Sequence, residues 1–333
     1  MDPLRRKFGL ERTKVAGGTA ITFARRRLGV EPFMVLFERV ARPVGTAKTP
    51  GCYWRGYRVV AVDATTVDIQ NTKGNRDRFG IHENQHGEVG FPQVKVAVTV
   101  ECGTRVPLTF TYGPGTAHEP TLWDPQRKAL TEEMLQLADR AYYSYERWKE
   151  CSKQCGALLW RVKSSLILKP IEAFDDGSYL SVVRPSNKLV RKGLARPDES
   201  MTVRVVEYEP VFQDGSSGEL VRLITTLLDP DDVSAEELAQ LYTQRWEIET
   251  GFDEIKTHLR GPKRVLRSPL PDIVEQEIHG FFLAYYVVRS TMAEAAKREG
   301  CPPNRLSFVH AVRVIKRRLS FFPSDQEGGE NDA

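Results

Sequence analysis

The stretch SAEELAQLYTQRWEIETGFDEIKTHLRG, residues 234–261, decides how the rest of the chain is read. Ser234 followed by Glu237 makes a capping box, which marks the start of a helix. With a turn of ~100° per residue, Leu241, Ile248, Phe252, Ile255 and Leu259 fall within about 60° of one another, an apolar stripe that faces a core. Tyr242, Arg245, Glu249 and Lys256, spaced 3, 4 and 7 apart, line up as a second stripe beside the first. A carboxylate therefore projects from the edge of the buried face, flanked by a phenol, an arginine and a lysine. Such a setting can hold one metal ligand among groups that bind phosphate oxygens. Taken alone, Glu249 also fits an ordinary i,i+4 surface pairing with Arg245.

Upstream of this helix the pattern is extended. YRVVAVDATTVDI (57–69) is rich in β-branched residues and reads as a buried strand followed by a second extended piece. NTKGNRDRFGIHENQHGEVG (71–90) reads as a polar loop, and FPQVKVAVTVECG (91–103) with TRVPLTFTYG (104–113) as a hairpin. Helix is expected over 17–45, 118–135 and 143–156, the last closed by Gly156, and MLQLAD (134–139) is a short apolar run ending in an acid. From 157 to 228 the pattern is β-rich, and from Ser234 onward it is helical again. EIHGFFLAYYVVRSTMAEAA (277–296) has enough apolar surface to complete the core or to pair subunits, with the core the favoured place. Two acids stand where strands meet a change of direction: Asp63 interrupts VVAVDATTV, and Asp139 ends LQLAD. A single Asp at either place commonly caps a turn. Three acids meeting in one place would instead form a cluster that is costly without cations.

Composition sets the outer limits. The 333 residues are 41% hydrophobic and 28% charged, as in an ordinary globular protein. No stretch approaches the roughly 20 apolar residues of a membrane span, and the N-terminus lacks a secretory apolar core, so a cytoplasmic protein with no membrane partner is expected. The five cysteines are scattered and lack the spacing of a zinc site, which points to reduced thiols. The net charge is only +4, but residues 1–50 hold 11 Lys and Arg against 4 Asp and Glu. Further bases cluster at Lys256, Arg260, Lys263, Arg264 and Arg267 and at Arg313, Lys316, Arg317 and Arg318, whereas the segment after Phe322 is acidic. A basic body suits a polyanion such as DNA, although uneven surface charge alone also produces such clusters.

These residues carry a resemblance. Tyr242, Arg245, Glu249 and Lys256 meet without a gap the Tyr–Arg–Glu–Lys signature of the insertion-sequence-4 family of bacterial DDE transposases, which includes the transposase of transposon 5. VVAVDATTVDI with NTKGNRDRFG resembles that family's first-Asp region, LQLADRAYYSYERW its second, and the likeness runs from about residue 20 to 320. The resemblance implies an α/β fold with an RNase H-like core, a β-rich insertion before the last catalytic helix, and C-terminal helices. The implied division is an N-terminal helical, basic remnant at 1–56, core at 57–156, insertion at 157–228, core and C-terminal helices at 229–320, and a disordered acidic tail at 321–333. Asp63, Asp139 and Glu249 are implied as catalytic, metal-binding residues for Mg²⁺, with Mn²⁺ able to substitute. Tyr242, Arg245, Lys256 and Arg260 are implied DNA contacts, with Arg161 and Lys163 of LLWRVK as further candidates, and Trp160 as a base-stacking or core residue. The implied activity is metal-dependent strand cleavage and transfer at insertion-sequence ends, on double-stranded DNA, by a homodimer associated with the nucleoid. A truncated, inactive DNA-binding remnant and an RNase H-like host nuclease are the alternatives, the first because only about 57 residues precede the first strand, fewer than the family's DNA-binding region needs. The family pattern has Gly directly after the first acid and two residues after the second. Ala64 and Ala141 stand there, and a positive φ at either would cost about 1 kcal/mol.

Overall fold

In this computed structural model, residues 17–81, 83–84, 87–88, 90–210, 216–259 and 265–320 are described. The run 57–69 forms one continuous strand, β1 (Tyr57–Ile69), rather than a strand and a second piece. It pairs antiparallel with β2 (Gln93–Glu101), which pairs antiparallel with β3 (Pro107–Pro114), as the hairpin reading requires. On its other side β1 pairs parallel with β4 (Met134–Ala138), and β4 pairs parallel with β5 (Ala157–Arg161). The resulting order β3-β2-β1-β4-β5, three antiparallel strands followed by two parallel ones, is the RNase H-like core. β6 (Tyr179–Val183), β7 (Met201–Tyr208) and β8 (Val221–Thr225) form the β-rich insertion. They extend the same sheet, because β8 lies antiparallel against β5.

β1 is apolar on consecutive residues because both of its faces are covered. Val59 and Ala61 point into a core shared with the helices that follow the insertion, while Val60 and Val62 point into a second core on the opposite face. That second core is built on Trp123, Trp148 and Trp160, all fully buried and packed edge to face. Trp160 is therefore core and not a surface for a base. It is joined by α5 (Tyr145–Gln154), whose start is capped by Ser144.

Several local expectations change. The helix expected over 17–45 is two, α1 (Gly18–Leu28) and α2 (Glu31–Val40), broken at Gly29 by a φ of 70° that glycine alone adopts easily. The polar segment 71–90 contains α3 (Lys73–Phe79), capped by the Thr72 hydroxyl, which accepts from the Asn75 N–H at 3.2 Å. Pro125 falls where the helix expected over 118–135 changes from α4 (Glu119–Trp123), which opens with Pro120 in its first turn, to a 3₁₀ turn at Asp124–Ala129. Gly156 has no left-handed conformation; it is needed because a Cβ there would collide with the Glu132 carbonyl and the Tyr57 ring.

After the short α6 (Asn187–Arg191), the capping box is formed as read. Ser234 accepts from the Glu237 N–H, and Glu237 accepts from the Ser234 N–H. The helix it opens is not uniformly wound. α7 (Ala235–Tyr242) passes through a 3₁₀ turn at Thr243–Arg245 into α8 (Trp246–Asp253), and then into a π-helical stretch at Glu254–Leu259. Leu241, Ile248 and Phe252 of the apolar stripe are buried and Ile255 is partly buried against the same core. The long α9 (Pro271–Glu299) lies across this core with Val274, Ile278, Phe282 and Tyr286 inside it, so the segment 277–296 is core. α10 (Phe308–Ser320) packs against α9 through Phe308 and Val312. Among the described residues, no helix is long and apolar enough to cross a membrane. The expected acidic tail, the first 16 residues and Arg260 with its basic neighbours Lys263 and Arg264 lie outside the described residues.

Candidate active site

The parallel register of β1 and β4 places two acids side by side. Val62 pairs with Ala138 at the last step of that ladder, and the next residue on each strand is Asp63 or Asp139. Adjacent strands lie ~4.8 Å apart, so Asp139, just past the carboxyl end of β4, stands beside Asp63 in the middle of the longer β1. Asp63 Oδ1 accepts from the Ala64 N–H at 2.8 Å, which orients the carboxylate. Neither Ala64 nor Ala141 has a positive φ, so the alanines that replace the family's glycines sit without strain.

The helix of the second stripe passes over this part of the sheet. The Tyr242 hydroxyl, buried, donates to the Ala138 carbonyl at 3.4 Å. One turn on, Arg245 donates through Nη1 to Asp63 Oδ2 at 3.3 Å and through Nη2 to Glu249 Oε1 at 2.7 Å. A single guanidinium thus bridges an acid of the sheet and an acid of the helix. Burial pushes the Asp63 carboxyl up to about 6; the Ala64 N–H and Arg245 oppose the rise, and the negative charges of Glu249 and Glu119 add to it. Burial also works against the charge on Arg245, but Tyr242, Glu249, Asp63 and Asp139 outweigh it and raise its pKa. Among the described residues, no three Asp, Glu, His or Cys side chains converge closely enough to hold a metal ion as the side chains stand. The donor set nevertheless suits one: all three are carboxylates, none is fully exposed, and two of them already share the positive charge of Arg245, the chemistry a hard divalent cation prefers.

The other residues named from the sequence are distributed around this point. The Lys256 stem lines a small apolar cavity with Thr65 and Val67, which lie on the same strand face as Asp63. Arg161, at the end of β5, donates to Glu219 at 3.0 Å, and Arg140 holds the other oxygen of the same carboxylate at 2.9 Å. Lys163 is exposed two residues farther on. Two residues escaped the sequence reading. Tyr142 is fully buried with no partner for its hydroxyl, and its ionisation is opposed by burial and by the charges of Asp63, Glu119 and Asp139. Its signal was an aromatic three residues after Asp139, where its N–H closes a turn on the Asp139 carbonyl. Glu119, whose charge reaches Asp63, sits in a short proline-broken helix that offers no periodicity to read.

The pattern of the family described as "Transposase DDE domain" matches residues 54–287, which contain β1, β4, the insertion and the helix carrying Glu249. The chain belongs to the DDE transposase family. The insertion-sequence-4 resemblance agrees with its relatives. The chain is 27% identical over 304 residues to the transposase InsG for insertion sequence element IS4 of Escherichia coli, covering 90% of this chain and 67% of that one. It is 26% identical over 249 residues to a probable transposase for insertion sequence element IS5377 of Geobacillus stearothermophilus, covering 74% of this chain and 60% of that one. This DDE-family chain thus spans 67% and 60% of the length of those two relatives. Among solved structures it is similar to the piggyBac transposase in a synaptic complex with hairpin DNA, with a TM-score of 0.44 and 11% identity over 79% of this chain and 52% of that one.

Proposed function

We propose that this chain is the catalytic part of a DNA transposase that cuts DNA at insertion-sequence ends and joins the freed end to a target. The observation that carries the reading is the placing of Asp63 and Asp139 side by side on neighbouring parallel strands, with Glu249 of the crossing helix tied to Asp63 by Arg245. Asp63, Asp139 and Glu249 would hold the metal, Mg²⁺ by preference for oxygen ligands, with Mn²⁺ able to replace it. When bound, divalent cations activate the attacking oxygen and stabilise the leaving oxygen of an in-line displacement at phosphorus.

The chain's own residues supply the rest. Ala64 orients the Asp63 carboxylate through its N–H. Arg245, bonded to two of the acids, and Lys256, farther along the same helix, would bind the non-bridging oxygens of the phosphodiester, where charge accumulates as the bond to phosphorus breaks. Tyr242 holds the helix to the end of β4 through the Ala138 carbonyl. Arg161, at the end of β5, Lys163, two residues beyond it, and Arg260 would contact the flanking duplex. In the first step, water attacks phosphorus and leaves a 3′-hydroxyl and a 5′-phosphate. In the second, that 3′-hydroxyl attacks a phosphodiester of the target and releases a target 3′-hydroxyl. Joining two ends in one complex calls for two copies of the chain.

The test is a strand-cleavage assay on duplex DNA bearing the sequences that flank the gene, with Mg²⁺ or Mn²⁺, beside Glu249→Gln. Metal-dependent nicking at the element boundary, lost in the variant, supports the reading. Binding without nicking would leave an inactive DNA-binding remnant, and cutting confined to RNA–DNA hybrids would make the chain a nuclease of another kind.

A further inference from the structure

We infer that Arg105, acting with Glu254 and Arg289, is a positioning residue that sets where Glu249 stands relative to Asp63 and Asp139, and so sets the affinity of the site for divalent cations. The inference rests on the metal-binding role proposed above. The site is split between two bodies: Asp63 and Asp139 belong to the sheet, whereas Glu249 belongs to a helix that crosses it. Hydrogen bonding along β1 and β4 fixes the first two. Glu249 has no such ladder, and its eight-residue segment α8 lies between a 3₁₀ turn and a π-helical stretch, two changes of winding that leave its rotation and height to side chains.

Those side chains are on the far face of the helix. Arg105, in the turn between β2 and β3, pairs with Glu247 through Nε and with Glu254 through Nη1 at 2.8 Å. One guanidinium therefore grips α8 near its first residue and again just past its last. Glu254 is closed in from the other side: it accepts from the Tyr285 hydroxyl at 2.8 Å, and Arg289 stands 3.5 Å from it. Arg289 in turn donates to the carbonyl of Thr104 at 2.7 Å, the residue before Arg105, so the network begins and ends on the β2–β3 turn. Arg105, Glu254 and Arg289 are all buried. Arg105 also holds a backbone φ of 60°, a conformation that disfavours residues with a Cβ, at the one place from which its side chain spans both carboxylates. Apolar packing would bind the helix here as tightly. A bidentate ionic grip adds register, because it is satisfied at one rotation and one height only.

The test measures Mn²⁺ binding to the full chain by the loss of the free-ion spin-resonance signal, with a melting curve for each variant. Arg105→Lys keeps the charge but cannot span Glu247 and Glu254, and Val205→Ala, in the buried face of β7, serves as a stability-matched control. Wild-type binding should be lost in Glu249→Gln, fall about tenfold to a hundredfold in Arg105→Lys, and be kept in Val205→Ala at an equal loss of melting temperature. If Arg105→Lys does not fold, Arg289→Lys, which keeps its charge but loses the Nε bond to Thr104, should give the same selective fall. Binding in these lysine variants equal to wild type, with Glu249→Gln still defective, overturns the inference and leaves the metal site standing. Binding that Glu249→Gln does not change overturns the site as well.

Discussion

The helix that carries Glu249 has an arginine–carboxylate assembly on each side, and the two are built differently. In front, Arg245 bridges Asp63 and Glu249, whose side chains are 21% and 36% exposed, and its Nε is buried without a partner. Behind, Arg105, Arg289 and Tyr285 enclose Glu254, whose side chain is 9% exposed. With Glu247 counted, two arginines balance two carboxylates in the rear assembly, although Arg289 Nη2, like Arg245 Nε, is buried without a partner. The front one brings three acids toward one arginine, and burial, with a smaller contribution from Glu249, raises the Asp63 pKa. Similar residue types thus serve two ends: where the charges balance and water is excluded they hold a shape, and where negative charge is in excess at an open edge they are ready to exchange partners. A buried pair is costly to break, whereas an acid-rich opening is costly to keep, the usual compromise of a working site.

The two assemblies should differ most at Glu249. Glu249→Gln is expected to lower strand cleavage by three orders of magnitude or more, roughly 4 kcal/mol in activation free energy, with a melting temperature no lower than wild type. An equal loss of stability would place Glu249 with the structural group. Next comes the rear. Glu254→Ala leaves two arginines buried beside an unfilled space, and chemical denaturation should show a loss of about 3–5 kcal/mol; a loss like that of a surface residue would show that the network holds nothing.

A smaller effect is expected at a buried group that the comparison predicts must be neutral. His279 of α9 packs on Phe110 and Tyr112, both its ring nitrogens lack partners, and burial lowers its pKa from 6.5 to about 4. Because the unfolded chain takes up this proton more readily, the stability it contributes is present above pH 6.5 and is lost as pH falls toward 4. His279→Phe should remove about 2 kcal/mol of that acid-side loss, read as a flatter curve of unfolding free energy against pH. The smallest effect belongs to the exposed pair Arg55–Glu237, 2.9 Å apart. Arg55→Ala should leave the melting temperature unchanged, since exposed pairs contribute little.

Much of this arrangement was legible in the chain, and the reason differs by element. β1 was visible because a strand covered on both faces needs consecutive apolar residues, and Asp63 stood out as the acid that interrupts them. Asp139 stood out in the same way at the end of β4. The start of α7 was marked by Ser234 and Glu237, whose mutual bonds are local and therefore written in the local sequence. The rear network was not visible: Arg105 and Glu254 lie 149 residues apart, and neither departs from the pattern of its own segment. The changes of winding around α8 were hidden for a related reason, since the 3.6-residue stripe continues through them. Gly156 was misread as a helix stop because its actual constraint, the closeness of Glu132 and Tyr57, comes from tertiary packing.

The most direct test of the account is a crystal structure of the full chain grown with Mn²⁺ and phased on its anomalous signal. An anomalous peak bounded by Asp63, Asp139 and Glu249 is expected, with the Arg245 side chain withdrawn from between the acids and the Arg105–Glu254 pair unmoved. Well-ordered acids with no peak at saturating Mn²⁺, or a peak elsewhere with Arg245 still bridging Asp63 and Glu249, would contradict it.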